Sequence, residues 1–205
     1  MGLAGVILAA GESTRMGRDK ALLRWTVPDS RAPGTLLSNA ITAFSRVCEL
    51  VIVVTGKNEA TLAPVIYSGG AFLARNPSPE RGQFSSLQTG LRETLNRGRD
   101  SVMLTLVDRP APAPTTLDKL VTAFRAKERG IWSVVPEFDG KHGHPIVIGR
   151  EMIEQFLKAP VTATAREIEH ANQPHVLYLP VDDPLVTTNI NTPEDYASLQ
   201  SGFRL

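Results

Sequence analysis

The sequence predicts an α/β fold, a mostly parallel sheet with helices on both faces, and three observations carry that expectation. Short, nearly unbroken apolar runs recur along the chain, Leu3-Ala4-Gly5-Val6-Ile7-Leu8, Leu50-Val51-Ile52-Val53-Val54 and Val102-Met103-Leu104-Thr105-Leu106 among them. Such runs are what parallel strands look like when both faces are covered. Between them lie segments of helical period, and strands alternating with helices are the pattern of an open sheet sandwiched by helices. The third observation is a glycine-containing loop that leaves the first run and carries cations, Gly11-Glu12-Ser13-Thr14-Arg15-Met16-Gly17-Arg18-Asp19-Lys20.

The elements follow in order. After the first strand and its loop, Leu36, Leu37, Ala40, Ile41, Phe44 and Val47 recur at helical spacing and lead into the strand at 50–54. A weaker strand spans Ala71 to Ala74, and a helix over Ser86 to Asn96 carries Leu87, Leu91 and Leu95 on one stripe. The strand at 102–106 precedes a helix bearing Leu117, Leu120, Val121 and Phe124. Strands are expected at Trp132 to Pro136, Pro145 to Ile148 and Val176 to Leu179, with helices near Arg150 to Leu157 and Ala163 to His170. Thr192-Pro193-Glu194-Asp195 opens a last helix: Thr as N-cap, Pro at the first helical position, acids in the positive first turn. The segment from Thr26 to Gly34 is rich in turn formers and lacks apolar periodicity. It reads as a surface loop, either an insertion without chemical duty or a lid over the neighbouring glycine loop.

Composition narrows the function classes. At 205 residues the chain is expected to form a single domain, 1–205. With 22 basic and 21 acidic residues and a net charge of +1, it has no global field for nucleic acid or an anionic membrane. Its single cysteine, Cys48, excludes an intrachain disulfide and reads as a small core residue in a reducing, cytoplasmic setting. No apolar run approaches the ~20 residues that span a bilayer, and the N-terminus has no basic region ahead of a signal-like core.

The glycine loop carries the chemistry. Glycine permits positive φ and close backbone approach, so amides from Ala10 through Gly17 can meet phosphate oxygens while Arg15 and Lys20 neutralise the rest. A nucleoside triphosphate fits this better than the two familiar alternatives. A Walker A loop needs Lys directly after its second Gly, whereas Gly17 is followed by Arg18-Asp19-Lys20; a dinucleotide fingerprint needs a third Gly that is absent here. The bland reading is a plain strand-to-helix turn with solvated charges.

With Gly11, Ser13, Arg15, Met16, Gly17 and Lys20 in order, the loop resembles the signature of the MobA-like nucleotidyltransferases, which include the molybdenum cofactor cytidylyltransferases and guanylyltransferases. The resemblance is closest to the cytidylyltransferases. It continues through Asn76-Pro77, Ser86-Leu87-Gln88-Thr89-Gly90-Leu91, Asp108-Arg109-Pro110, Gly143-His144-Pro145 and Asn189-Ile190-Asn191-Thr192-Pro193-Glu194-Asp195. It implies a three-layer α/β/α, Rossmann-like, mostly parallel sheet of the nucleotide-diphospho-sugar transferase type. It also implies transfer of a nucleoside monophosphate from CTP or GTP to a phosphorylated acceptor, best guessed as a molybdopterin, with Mg2+ as cofactor and pyrophosphate as product. A polyol phosphate such as methylerythritol phosphate is the alternative acceptor.

The implied site is specific. Leu8, Ala9, Ala10, Gly11, Ser13 and Gly17 meet the nucleotide, and Lys20, with Arg15, faces the reacting phosphates. Gly82, Ser85 and Ser86 lie beside base and ribose, although Ser85 or Ser86 serves equally well as a helix N-cap. Asp108, just beyond a buried strand, is the candidate magnesium ligand, its other reading being a local turn with Arg109-Pro110. Asn191 is a weaker second ligand, because the matching segment of the cytidylyltransferases is often acidic and an amide supplies no charge. Asp182 and Asp183 are possible substitutes or a solvated turn before Pro184. The amides also motivate a different class, a nucleotide-binding regulatory module with impaired turnover. His144 and Pro145 are placed at the acceptor. His142 and His144 lack a third ligand nearby and make a weak metal pair. His170 and His175 read as surface residues, Trp25 and Trp132 as packing residues. Neither the base nor the oligomeric state is legible.

Overall fold

A computed structural model describes residues 2–11, 16–25 and 34–202. Ser13 and Arg15 of the glycine loop and residues 26–33 of the turn-rich segment lie outside them. The main sheet is built from β1 (Leu3–Leu8), β4 (Leu50–Thr55), β5 (Phe72–Arg75), β6 (Ser101–Leu106), β7 (Ser133–Phe138), β9 (Ile146–Gly149) and β10 (Val176–Pro180). Its order is β10-β7-β9-β6-β1-β4-β5, with β8 (Lys141–His142) paired to β7. Strands β5, β4, β1 and β6 run parallel, β9 is antiparallel to both neighbours, and β10 is parallel to β7. A short ladder joins β2 (Arg24–Trp25) to β3 (Gly34–Thr35).

The alternation of side chains explains the layers. In β1, Leu3 and Ile7 enter one apolar cluster while Val6 and Leu8 enter another; in β4, Val51 and Val53 part from Ile52 and Val54 in the same way. The first cluster packs under α1 (Leu36–Ser45), α2 (Glu59–Ser68) and α4 (Pro114–Ala126), through Leu37, Ile41, Phe44, Leu62, Ile66, Leu117 and Phe124. The second packs under α3 (Gln83–Asn96) and α5 (Arg150–Lys158), through Phe84, Leu87, Leu91, Met152 and Phe156, with α6 (Ala165–Ala171) at its margin. The three-layer α/β/α expectation holds. Helix α2 has no counterpart among the elements expected from sequence: it carries Pro64 in its interior and buries only Leu62 and Ile66, so it offers little periodic signal. Among the described residues, no helix is long and apolar enough to cross a membrane.

A third, smaller cluster positions the site. Met16, Leu23, Trp25, Leu36, Leu185, Ile190 and Leu199 pack together, tying the glycine loop to the segment before α7 (Pro193–Gly202). Trp25 is thus a packing residue, as is Trp132, which stacks on His175 with ring centroids 3.6 Å apart and lies against the second cluster. That stacking makes His175 half-buried; His170 is exposed. Cys48 packs at the edge of the first cluster, and burial pushes its thiol up to about 12. It is not a reactive thiolate at neutral pH.

Candidate active site

The parallel strands deliver their carboxyl ends to one edge of the sheet, where an open α/β sheet binds its ligands. There the structure has a cleft of about 610 Å³, lined among others by Leu8, Ala10, Gly11, Lys20, Gly82, Ser86 and Asp108.

Lys20 sits on a short 3-10 turn, Lys20–Leu22, and the turn is fixed by its neighbours. One oxygen of Asp19 caps it, accepting from the Ala21 amide at 3.0 Å, while the other accepts from Asn58 Nδ2 at 2.7 Å. The same amide nitrogen of Asn58 donates to the Ala9 carbonyl at 2.9 Å, and its Oδ1 accepts from the Gly56 amide at 3.1 Å. Asn58 therefore staples the glycine loop to the loop after β4. Gly56 lets these loops close together, since a Cβ there would meet the Ala10 carbonyl oxygen at 2.8 Å. Ala9 is used by this scaffold, its own amide donating to the Val54 carbonyl at 2.8 Å, and it is buried outside the cleft lining.

From that anchored turn the Lys20 side chain, in a residue 8 % exposed, reaches two oxygens at once. Its Nζ donates to Asp108 Oδ2 at 3.3 Å and to Asn191 Oδ1 at 3.3 Å. The two partners come from distant parts of the chain, brought together by an amide hydrogen bond from Ile190 to the Asp108 carbonyl at 2.9 Å. Asn191 is held further by Asp195, whose Oδ2 accepts from the Asn191 and Thr192 amides at 2.8 and 2.9 Å while Thr192 Oγ1 accepts from the Asp195 amide at 3.2 Å. These hydrogen bonds, the Asn191 amide foremost, hold the Asp195 carboxyl below its usual range, and Lys20 adds a smaller pull. Thr192 is the expected N-cap of α7.

The donor set suits a hard cation. Asp108 Oδ1 is buried and has no hydrogen-bond partner, a costly state for a carboxylate oxygen unless a ligand takes it. One carboxylate, an amide carbonyl, phosphate oxygens and water are an ordinary magnesium environment. Asp183 belongs elsewhere. It is buried, with Oδ2 accepting from the Ala113 amide and Thr116 Oγ1, each at 2.8 Å, and Oδ1 accepting from the Leu185 amide at 3.0 Å. Asp182 is exposed.

Other expected residues are dispersed. Gly82 adopts φ +91°, ψ 177° at the start of α3, a conformation open in practice to glycine. Ser86 faces the cleft, whereas Ser85 lines a neighbouring cavity of about 350 Å³ and donates to the Gly82 carbonyl at 2.7 Å. Asn76 Nδ2 joins them, donating to both hydroxyls at 2.8 and 2.9 Å. Gly17 has φ +64° and lies exposed on the turn before Lys20, outside the cleft lining. His144 and Pro145, joined by a cis peptide bond, also lie outside that lining. The His144 amide donates to the Val186 carbonyl at 2.8 Å, and burial, then the Arg109 guanidinium, pushes its imidazole down to about 3. Burial likewise lowers Arg109, against the opposing pull of Asp108. His142 points to different neighbours, stacked on Tyr178 and 3.4 Å from Glu137, so the two histidines form no metal pair. No group of three or more His, Cys, Asp or Glu poised for a metal occurs among the described residues.

Lys57, Glu80 and Gln83 also line the cleft, beyond the residues the sequence points to. The available signal was Gly56-Lys57-Asn58 directly after a strand, the same strand-glycine-cation order as the first loop.

A family model described as the MobA-like NTP transferase domain matches residues 5–174. A probable molybdenum cofactor guanylyltransferase of Mycobacterium avium (strain 104) is 28% identical over 202 residues, covering 97% of this chain and 95% of the relative. The molybdenum cofactor cytidylyltransferase of Escherichia coli (strain K12) is 23% identical over 199 residues, with 97% and 95% covered. Among solved structures, Rv0371c from Mycobacterium tuberculosis H37Rv, in its complex with manganese, superimposes with TM-score 0.74 at 22% identity over 98% of this chain and 99% of that one. At that identity the likeness is one of fold. The glycine loop, the cleft at the strand ends and the family match over most of the chain lead to one conclusion: this protein is a nucleotidyltransferase belonging to the MobA-like NTP transferase family.

Proposed function

We propose that the chain, acting as a single cytoplasmic domain, transfers a nucleoside monophosphate from CTP or GTP to a phosphorylated acceptor of the molybdopterin type. An acceptor phosphate oxygen attacks the α-phosphorus, the bond from that phosphorus to the bridging oxygen breaks, and pyrophosphate leaves. The observation that carries this reading is the Lys20 ammonium, held in the cleft lining beside Asp108 and Asn191.

Each residue then has an electrostatic or positional task, as expected for a reaction that needs no covalent enzyme intermediate. The amides of Ala10 and Gly11 approach phosphate oxygens, and Lys20, with Arg15 and Lys57, offsets charge on the triphosphate and the departing pyrophosphate. Gly82 and Ser86 border the base and ribose. Asp108 and Asn191 would hold Mg2+, which when bound supplies positive charge to the α-phosphate and the leaving group. The relatives' names and the Gly143-His144-Pro145 segment support the molybdopterin-type acceptor.

The test is pyrophosphate release with CTP or GTP, Mg2+ and molybdopterin, with the dinucleotide product identified by mass. Acceptor-dependent release with one triphosphate is expected and names the base. Release with methylerythritol phosphate alone would move the acceptor to the polyol class. Triphosphate binding without turnover on any acceptor would leave a regulatory nucleotide-binding module.

A further inference from the structure

We infer that Lys20 holds the metal's place in the free protein, and that arrival of the triphosphate is what draws its ammonium away and opens that place to the cation. The inference rests on the nucleotidyl-transfer reading above and adds an order of events: triphosphate before, or together with, the metal.

Three observations combine. The two side-chain oxygens assigned to the cation, Asp108 Oδ2 and Asn191 Oδ1, both accept from Lys20 Nζ, each at 3.3 Å. A divalent ion on those oxygens would lie within a few ångströms of the ammonium, and in a site with side-chain exposures of only 11% for Lys20 and 22% for Asp108, water screens that repulsion poorly. Second, the backbone of Lys20 cannot retreat, because Asp19 caps its turn and Asn58 holds Asp19. Only the flexible stem of the side chain can move. Third, Lys20 already lines the cleft, so a triphosphate seated there offers its ammonium a denser negative partner than one carboxylate and one amide. Once Lys20 swings onto the phosphates, Asp108 presents both oxygens, including the buried Oδ1 that now has no hydrogen-bond partner. Lys20 thereby acts first as a guard against cations before the triphosphate arrives and then as a phosphate ligand.

The experiment is Mn2+ binding, read from the electron paramagnetic resonance of the free ion, on the whole protein. It uses wild type, Lys20→Gln and Lys20→Arg, with and without the α,β-methylene analogues of CTP and GTP. Wild type and Lys20→Arg should bind Mn2+ weakly alone, and wild type should bind it much more tightly with one analogue. Lys20→Gln should bind Mn2+ at least about tenfold more tightly than wild type without any nucleotide. Thermal melting gives a second reading and shows that the variant is folded: Mn2+ should raise the midpoint of Lys20→Gln and leave that of wild type unmoved. Adding Asp108→Asn to Lys20→Gln should abolish the gain. Unchanged Mn2+ affinity in Lys20→Gln, or a gain that survives Asp108→Asn, overturns the inference while an analogue-dependent wild-type site keeps the reading. Absence of Mn2+ binding in every form, both analogues included, removes the reading and the inference together.

Discussion

Lys20 meets Asp108 and Asn191 and faces the phosphates in the proposed reaction, so its removal should separate binding from turnover. Lys20→Ala leaves the loop amides in place and takes away charge that matters most as the leaving group departs. Turnover should fall about 10²–10³-fold while triphosphate affinity changes less than about tenfold. Steady-state kinetics beside calorimetric titration of the triphosphate checks this, and equal losses in both would make Lys20 a binding residue only. Gly82 poses a steric question instead. Nothing lies within 4 Å of a Cβ built there, so Gly82→Ala meets backbone strain alone at φ +91°. It should cost roughly 1–3 kcal/mol, seen as a lowered urea midpoint with an unchanged m-value. Individual residues were unevenly legible. Lys20 closes the loop that leaves β1 and Asp108 follows the end of β6, so sequence order alone puts them on one edge of the sheet. The contact of Lys20 with Asn191 spans 171 positions in the chain and depends on the Ile190 amide reaching Asp108, a long-range hydrogen bond with no local signature. Lys57 and Asn58 follow a strand too, but without the long loop motif that drew attention to Lys20.

Asp183 shows how one carboxylate can organise a stretch of chain. It accepts from the amide that precedes α4, from a hydroxyl in the first turn of α4 and from the amide of Leu185, so it binds the 184–191 segment to α4. Asp183→Ala would orphan three buried or half-buried donors and should lower stability by roughly 2–4 kcal/mol. Because Asn191 rides on the same segment, turnover should fall as well, with the affinity for metal in the ternary complex reduced only through that displacement. A metal ligand would behave differently, losing metal dependence with stability intact, and a urea melt separates the two. The sequence, Asp-Asp before Pro, admitted either role; burial decides, since only a folded chain shows that Asp183 is inside and Asp182 outside. Elements with strong periodicity emerged from sequence within a few residues. Helix α2 did not, because Pro64 and a two-residue buried face hide it, and neither did the antiparallel direction of β9, whose four buried residues look like those of any parallel neighbour.

Across the whole molecule, two half-buried titratable groups pull stability in opposite directions with pH. His144 falls to about 3 from an ordinary 6.5, so the unfolded chain binds its proton more readily and stability is lost as pH drops below about 6.5 toward 3. At neutral pH the imidazole is uncharged beside Arg109, and its ring protons in NMR should not shift between pH 5 and 8. Glu169 on α6 behaves in reverse: burial raises it from 4.5 to about 7, so the folded chain holds the proton that the unfolded chain has released. Its contribution is greatest below pH 4.5 and declines as pH rises through 7, where the carboxylate must charge in a largely desolvated place. Glu169→Gln removes that ionisation while keeping a similar shape. The variant should therefore melt several degrees above wild type at pH 8, and the gap should narrow steadily and close near pH 4.5, where both side chains are neutral. Melting curves at half-unit steps across this range provide the check. A gap of constant size would mean that the amide improves packing by some other route and that Glu169 titrates normally, leaving His144 as the group that tilts stability on the acid side.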